Sequence, residues 1–251
     1  MAAPIDKLKR AIRRAVQGDD RSRLRAKYPD FEPGHLDVLG LVQPYTMTSP
    51  ERIVAFVEAV KYVSRRRLPG AIVECGVWRG GSMMAAARTL QELGDTDRDL
   101  YLFDTFEGMS APSDLDVDLA GRRAANVLAK SSRTDDGYWC YASLEDVKQA
   151  VGGVGYPAAR VHYVRGKVEE TVPVHAPAEI AILRLDTDWY ESTRHELQHL
   201  YPRLASGGVL IIDDYGHWKG ARQATDEFME ATPDFGLLTR IDYTGRLAIK
   251  P

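Results

Sequence analysis

The chain has 251 residues, of which 44% are hydrophobic, and a formal net charge of -3. This length allows one substantial hydrophobic core and favours a single α/β domain. The charge is uneven, because residues 1–27 carry nine Lys or Arg against three acids and the remainder has a net charge of -9. No aromatic residue is interleaved with these cations before Tyr28, so we interpret the basic segment as a solvated amphipathic helix, not a nucleic-acid site.

The two cysteines, Cys75 and Cys140, lie far apart and lack CxxC spacing. This excludes a disulfide scaffold and a zinc knuckle and is typical of a reducing compartment. Cys75 lies in an apolar run, so we expect a buried structural thiol. The start of the chain lacks a signal-peptide pattern, and the apolar runs are too short to span a membrane. We therefore expect a soluble, cytoplasmic protein without a membrane span.

In chain order, apolar residues at helical spacing predict a first helix at Ile5–Val16, and a polar stretch follows from Gly18 to Gly34. Ser49 and Pro50 predict the N-cap and first residue of a helix that runs to about Arg66. We expect an N-terminal helical extension over residues 1–48 and the main domain over residues 49–251.

Beyond this point, predicted strands alternate with predicted helices, which is typical of a parallel sheet covered on both faces. The strands are expected at Ala71–Glu74, Leu100–Phe103, Val161–Val164, Ile180–Leu185, Val209–Ile212, Leu237–Ile241 and Leu247–Ile249, the last two as an antiparallel pair. The helices are expected at Ser82–Leu93, Arg122–Ala129, Glu191–Leu204, Gly220–Glu230 and after the N-cap Ser143. The predicted fold is α/β, with a doubly wound, mostly parallel seven-stranded sheet. The irregular segment Glu107–Tyr141 is interpreted as an insertion on the substrate side.

A strand, a glycine turn and a helix start follow one another from Ala71 to Ser82. Gly76 allows the backbone to approach a ligand, and Gly80 lies where the helix opens. The spacing is neither that of a dinucleotide fingerprint nor that of a P-loop. Glu74 ends a buried strand, where an unpaired carboxylate is costly. We expect an ammonium-bearing ligand or the backbone amides of the turn to satisfy it.

Asp104 ends the next strand, where an acid in an α/β nucleotide site accepts hydrogen bonds from ribose hydroxyls. The alternative is a helix or turn cap. Because Glu74 and Asp104 come without a phosphate-binding motif, they favour a nucleoside without phosphate, such as S-adenosylmethionine.

Three further acids, Asp186, Asp213 and Asp214, follow two apolar strands. If the strands are neighbours, these carboxylates meet at one edge of the sheet, where a hard divalent cation such as Mg²⁺ relieves their repulsion. The alternative is a set of ordinary strand-end and capping aspartates. If the metal site is correct, we expect Asp213→Ala to abolish activity and leave the fold intact.

Five motifs carry a resemblance to a known family. They are Thr46–Ser49, Val73–Ser82, Asp104–Met109, Arg184–Thr193 and Gly207–Trp218. In this order they resemble the Mg²⁺-dependent, S-adenosylmethionine-dependent sugar O-methyltransferases of the macrocin O-methyltransferase type. The resemblance covers about Tyr45 to Glu230.

The resemblance implies a class I methyltransferase fold and roles for individual residues. It implies that Asp186, Asp213 and Asp214 hold the metal, and it makes Asp186 a candidate base as well. It places these residues around S-adenosylmethionine: Met47, which closes over it, Glu74, Gly76, Gly80, Ser82, Asp104 and Ser143. A homodimer or a larger assembly of identical chains, with the first helices at the contact, is also implied.

Proton transfer needs a base, because a sugar hydroxyl is a poor nucleophile at neutral pH. Asp188 and His217 are the other candidates for this role. Asp188 could instead support the metal ligands or cap a helix, and His217 could simply pack against Trp218 or bind substrate.

Two other functions stay open at this point. A catechol-type O-methyltransferase would chelate an aromatic diol to Mg²⁺ in the same way, although that group typically has Asp-Asn where this chain has Asp213 and Asp214. A non-catalytic binding subunit with the same fold is the other, and the intact acids argue against it. The sequence does not identify the sugar acceptor.

Overall fold

The computed structural model describes residues 21–132 and 137–251, and its centre is a seven-stranded sheet. The strands are β1 (Ala71–Cys75), β2 (Leu100–Asp104), β3 (Val161–Arg165), β4 (Ile180–Leu185), β5 (Leu204–Ile212), β6 (Thr239–Arg240) and β7 (Arg246–Ile249). Their order across the sheet is β3-β2-β1-β4-β5-β7-β6, with β1 to β5 parallel and β7 antiparallel to both neighbours. This confirms the predicted sheet and its closing hairpin.

Helices connect the strands and cover both faces. They are α1 (Pro33–Val42), α2 (Pro50–Arg65), α3 (Gly81–Leu93), α4 (Ala124–Ala129), α5 (Leu144–Gly152), α6 (Val168–Thr171), α7 (Tyr190–Leu200) and α8 (Lys219–Glu230). Short 3-10 turns lie at Gln43–Tyr45, Ala158–Arg160 and Tyr201–Arg203. Ser49 caps α2 and Ser143 caps α5, each accepting a hydrogen bond from the third residue along, as predicted.

The sheet separates two apolar cores. All six side chains of β4 are buried. Ile182 packs in the core beneath α2 and α3, whereas Leu183 and Leu185 pack in the core beneath α7. Strands buried on both faces form continuous apolar runs, which is why β1 and β4 were recognisable. Cys75 is fully buried in the second core, as expected for a structural thiol.

The chain changes direction across the sheet at β1. It moves outward from β1 through β2 to β3 and then returns to β4 on the other side of β1. The connections at the carboxyl ends of β1 and β4 therefore diverge, leaving a crevice there.

The N-terminal segment differs from the prediction. Residues 21–27 are helical and α1 starts at Pro33, where a polar connecting stretch was expected. Val38, Leu39 and Val42 join the same core as α2 and α3, so this part of the predicted extension packs onto the main domain. The predicted helix Ile5–Val16 lies outside the described residues, and the division at residue 48 stays a prediction.

The predicted boundaries between α7 and β5 also lie too far along the chain. The helix ends at Leu200 instead of Leu204, and β5 begins at Leu204 instead of Val209. Pro202 explains the early end, since proline lacks the amide proton that the next helical turn needs.

In its described residues, the insertion is irregular apart from α4, as expected, but it is anchored by two buried aspartates. Asp116 Oδ1 accepts a hydrogen bond from the backbone amide of Tyr190 at 2.8 Å. Asp118 is 1% exposed and forms an isolated bridge to Trp218. These contacts hold the insertion over the carboxyl edge of β4 and β5. Among the described residues, no helix combines the length and the apolarity needed to cross a membrane.

Candidate active site

A cavity of about 450 Å³ opens at the carboxyl ends of β1, β2, β4 and β5. Most of the predicted site residues line it: Met47, Gly76, Ser82, Asp104, Asp186, Asp188, Asp213, Asp214 and His217. The fold therefore brings these residues, which are up to 170 positions apart in the chain, into one chamber.

The turn after β1 shapes one side of this chamber. Gly76 has a φ of +82°, and a Cβ at this position would lie 1.9 Å from the backbone oxygen of Asp186. The backbone amide of Asp186 in turn donates to the carbonyl of Cys75 at 2.8 Å. Only glycine permits this approach, which places Asp186 directly beside the turn.

The carboxylate of Asp104 accepts hydrogen bonds from three backbone amides. Its Oδ2 accepts from Val77 at 2.7 Å and from Trp78 at 3.1 Å, and its Oδ1 accepts from Phe106 at 2.6 Å. Burial raises the pKa of this carboxyl, while the three amides act in the opposite direction. Asp104 is thus a turn cap that also lines the cavity, and of about four acceptor positions on a carboxylate its three amides leave about one for a hydroxyl donor.

Glu74 is satisfied at one oxygen, whereas its Oε2 is buried without a hydrogen-bond partner among the described residues. The guanidinium of Arg184, in the neighbouring strand β4, donates to Glu74 Oε1 at 2.6 Å. The two residues are register partners in the parallel pair, so the fold itself supplies the cation. Burial raises the pKa of Glu74 to about 7, and the charge of Arg184 opposes this rise.

The three acids proposed as metal ligands are brought together. Asp186, Asp213 and Asp214 each offer an oxygen within 4.8 Å of the others. Asp213 lies between two cations, since Arg184 Nη2 donates to its Oδ1 at 2.6 Å and Arg52 pairs with its Oδ2. Asp214 Oδ2 is buried and has no hydrogen-bond partner among the described residues.

The acids of this cluster repel one another and are partly removed from water. Burial raises the pKa of Asp214 well above its ordinary value, and the charges of Asp188 and Asp186 raise it further. An all-oxygen set with an unpartnered buried oxygen and mutual repulsion fits a hard divalent cation such as Mg²⁺. The residues present therefore fit the predicted metal.

The two candidate bases lie beside the cluster. Asp188 has a φ of +66°, and burial raises its pKa to about 7. His217 lies edge-on to Trp218, and the hydroxyl of Tyr243 is 3.4 Å from its Nδ1. Burial lowers the pKa of His217, which favours the neutral ring that can accept a proton.

Three predicted cofactor residues do not line the cavity. Glu74 lies beneath it against Arg184, and Gly80 forms the left-handed N-cap of α3, where its φ is +88°. Ser143 caps α5, and its hydroxyl donates to Asp146 Oδ2 at 2.6 Å. Contact of these residues with a cofactor stays a prediction.

Two residues that contact the acid cluster were not predicted, Arg184 and Arg52. Arg184 stands in an otherwise apolar strand and is 2% exposed. A charged residue in such a run is rarely buried unless it is paired, so the run itself was the signal that pointed to acids nearby.

Comparison with known proteins gives the family. The family model described as macrocin O-methyltransferase matches residues 16–248. The chain belongs to the macrocin O-methyltransferase family.

Its relatives include two actinobacterial enzymes. It is 33% identical over 224 residues to 8-demethyl-8-(2,3-dimethoxy-alpha-L-rhamnosyl)-tetracenomycin-C 4'-O-methyltransferase of Streptomyces olivaceus, covering 86% of this chain and 80% of the relative. It is 30% identical over 201 residues to mycinamicin III 3''-O-methyltransferase of Micromonospora griseorubida, covering 80% and 76%.

Among solved structures, the O-methyltransferase NovP is similar, with a TM-score of 0.69, 28% identity and 82% coverage of both chains. The mostly parallel seven-stranded sheet is thus that of the class I methyltransferases, as the resemblance implied.

Proposed function

We propose that the protein transfers a methyl group from S-adenosylmethionine to a hydroxyl of a sugar and uses Mg²⁺ to hold the acceptor. The observation that supports this most directly is the joining of two acidic sites in one cavity, Asp104 beside the glycine turn and the cluster of Asp186, Asp213 and Asp214. The names of both relatives specify O-methylation, one of them of a rhamnosyl compound.

At the cofactor end, Asp104 would accept hydrogen bonds from the ribose hydroxyls. Gly76 would let the backbone approach the cofactor, and Ser82 faces the same space. Met47 is 51% exposed at the cavity wall, where it would close over the bound cofactor.

At the acceptor end, Asp186, Asp213 and Asp214 would hold Mg²⁺. The cation would supply Lewis-acid stabilisation of the negative charge that develops on the sugar oxygen. Asp188 or His217 would take the hydroxyl proton, with Asp186 the third candidate. When bound, S-adenosylmethionine would supply the methyl group, which would pass from its sulfonium sulfur to the sugar oxygen and leave S-adenosylhomocysteine with a neutral thioether sulfur.

The reaction is tested with purified protein, S-adenosylmethionine and three acceptor classes: rhamnose-bearing glycosides, a nucleotide-activated rhamnose and catechol. We expect a glycoside or nucleotide sugar to gain one methyl group by mass spectrometry in Mg²⁺ buffer, and much less in EDTA. Catechol is the matched control, because it presents a vicinal diol without a sugar.

Methylation of catechol alone would replace the sugar function with the catechol-type alternative. Equal rates in EDTA and Mg²⁺ would remove the metal from the proposal. Failure to bind S-adenosylhomocysteine would remove the methyltransferase mechanism. The predicted homodimer and cytoplasmic location stay predictions.

A further inference from the structure

Arg184 contacts three carboxylates and one hydroxyl at once. Its Nη1 lies 2.6 Å from Glu74 Oε1 and 2.7 Å from Asp186 Oδ2. Its Nη2 donates to Asp213 Oδ1 at 2.6 Å and to Thr48 Oγ1 at 2.9 Å. One buried guanidinium therefore joins acids that follow or lie in three different strands and a hydroxyl from outside the sheet.

Thr48 belongs to the segment Tyr45–Thr48, which lines the cavity and runs from the last residue of the 3-10 turn toward α2. We refer to these four residues as the strap. The strap packs on the start of α3, since a Cβ on Gly81 would lie 2.5 Å from the backbone oxygen of Tyr45. Within it, the amide of Thr48 donates to Thr46 Oγ1 at 3.0 Å.

The four N–H groups on Nη1 and Nη2 of Arg184 meet four acceptor atoms. The two hydrogens of Nη2 meet one carboxylate, that of Asp213, and one neutral hydroxyl, that of Thr48. A buried donor that loses its acceptor costs free energy unless the group moves to a new partner. Loss of the Thr48 oxygen would therefore rotate the guanidinium toward a new acceptor. Because Asp186 and Asp213 contact the same guanidinium, their positions would change with it.

We propose that Arg184 and Thr48 are positioning residues that couple the strap to the geometry of the acid cluster through the Thr48–Arg184 hydrogen bond. This rests on the proposed function, because it takes the strap as part of the cofactor site and the acids as the metal site. The hydroxyl of Thr48 then contributes to Mg²⁺ binding although it is not a ligand.

The decisive variants are Thr48→Val and Thr48→Ser. Valine keeps the branched shape and loses the acceptor oxygen, whereas serine keeps the oxygen and loses a methyl group. Calorimetric titrations of the full chain, with Mg²⁺ alone and with S-adenosylhomocysteine alone, report on the two ends separately. We expect Thr48→Val to weaken both affinities by about tenfold, the order expected for a hydrogen bond to a charged group. Thr48→Ser should stay within about twofold of the wild type.

The unfolding midpoints of the wild type, Thr48→Val and Thr48→Ser distinguish a positioning role from a general loss of stability. If Thr48 is a positioning residue, Thr48→Val should bind Mg²⁺ more weakly than Thr48→Ser, while the two variants unfold at similar midpoints. Arg184→Lys should weaken both affinities further, because one ammonium cannot span four acceptors. If Arg184→Lys does not fold, the comparison of Thr48→Val with Thr48→Ser is sufficient to test the proposal.

The outcomes are distinguishable. If the wild-type protein binds both ligands and Thr48→Val has the wild-type affinity for Mg²⁺, the coupling is overturned and the proposed function is unaffected. Wild-type protein that binds neither ligand overturns both. Equal loss in the valine and serine variants shows a packing effect of the methyl group and overturns the role of the hydroxyl.

Discussion

At the scale of single residues, the acids of the cluster are not equivalent. Asp213 is 2% exposed and pairs with both Arg52 and Arg184, so its removal would leave two cations without their shared partner. Truncating one side of a buried ion pair is strongly destabilising, at about 3–5 kcal/mol. The expectation that Asp213→Ala leaves the fold intact therefore needs revision. Asp214 is the better probe, since neither cation hydrogen-bonds to it and its Oδ2 has no partner among the described residues.

We predict that Asp214→Asn lowers the methyl-transfer rate by about a hundredfold or more, because it removes a charged ligand from the proposed metal site. The metal-free variant should unfold at the same temperature as the wild type or higher, since the amide removes repulsion from Asp186 and Asp188. Rates and thermal unfolding measure the two effects. The matched control is Asp234→Asn, which changes an exposed aspartate and should retain the wild-type rate. A variant with the normal rate and normal Mg²⁺ affinity would contradict the metal assignment.

At the scale of elements, the caps and turns set where the site residues lie. Two serines illustrate the difference between local and shared roles. Within the described part of the chain, Ser143 bonds only at its own helix start, to the amide and the carboxylate of Asp146. Ser49 caps α2 and also donates to Asp242 at 2.6 Å, next to the strap.

We predict that Ser143→Ala lowers the free energy of unfolding by about 1 kcal/mol, the usual cost of an N-cap, with unchanged affinity for S-adenosylhomocysteine. Urea unfolding and calorimetry check the two parts. Ser49→Ala is the comparison, and it should weaken both stability and affinity because it loosens the attachment of the strap. A clear loss of affinity in Ser143→Ala would instead support the direct cofactor contact that the family resemblance implies.

At the scale of the whole molecule, the cavity joins elements from almost the entire described chain. Its walls come from the strap, the turn after β1, the insertion, and the loops after β2, β4 and β5. A ligand bound there contacts segments that are distant in sequence, so binding should stabilise the folded state as a unit.

We predict that S-adenosylhomocysteine at one hundred times its dissociation constant adds about 2.7 kcal/mol to the free energy of unfolding. For a chain of this size, this corresponds to a rise in Tm of about 5–10 °C. Thermal scans with and without the ligand, each repeated in EDTA, measure it. Adenosine is the matched control and should give a smaller rise, because it lacks the amino acid part. An unchanged Tm at saturating ligand would argue against cofactor binding in this cavity.

Much of the architecture was predictable because local patterns carry it. The apolar runs of β1 and β4, the serine caps of α2 and α5, and the hairpin around Gly245 follow from periodicity and turn chemistry. The prediction failed at α1 and at the end of α7. There, packing onto the core and a single proline decided the boundaries.

The sequence by itself determined that the acids and the glycine turn lie at one edge of the sheet, because they follow the carboxyl ends of strands that run parallel. Only the tertiary structure decided how the charges pair. Whether Glu74 faces a ligand or Arg184 depends on the register of β1 against β4, and the position of Thr48 depends on the packing of the strap. These contacts join residues up to 136 positions apart. No local pattern encodes them, since they arise from the complete fold.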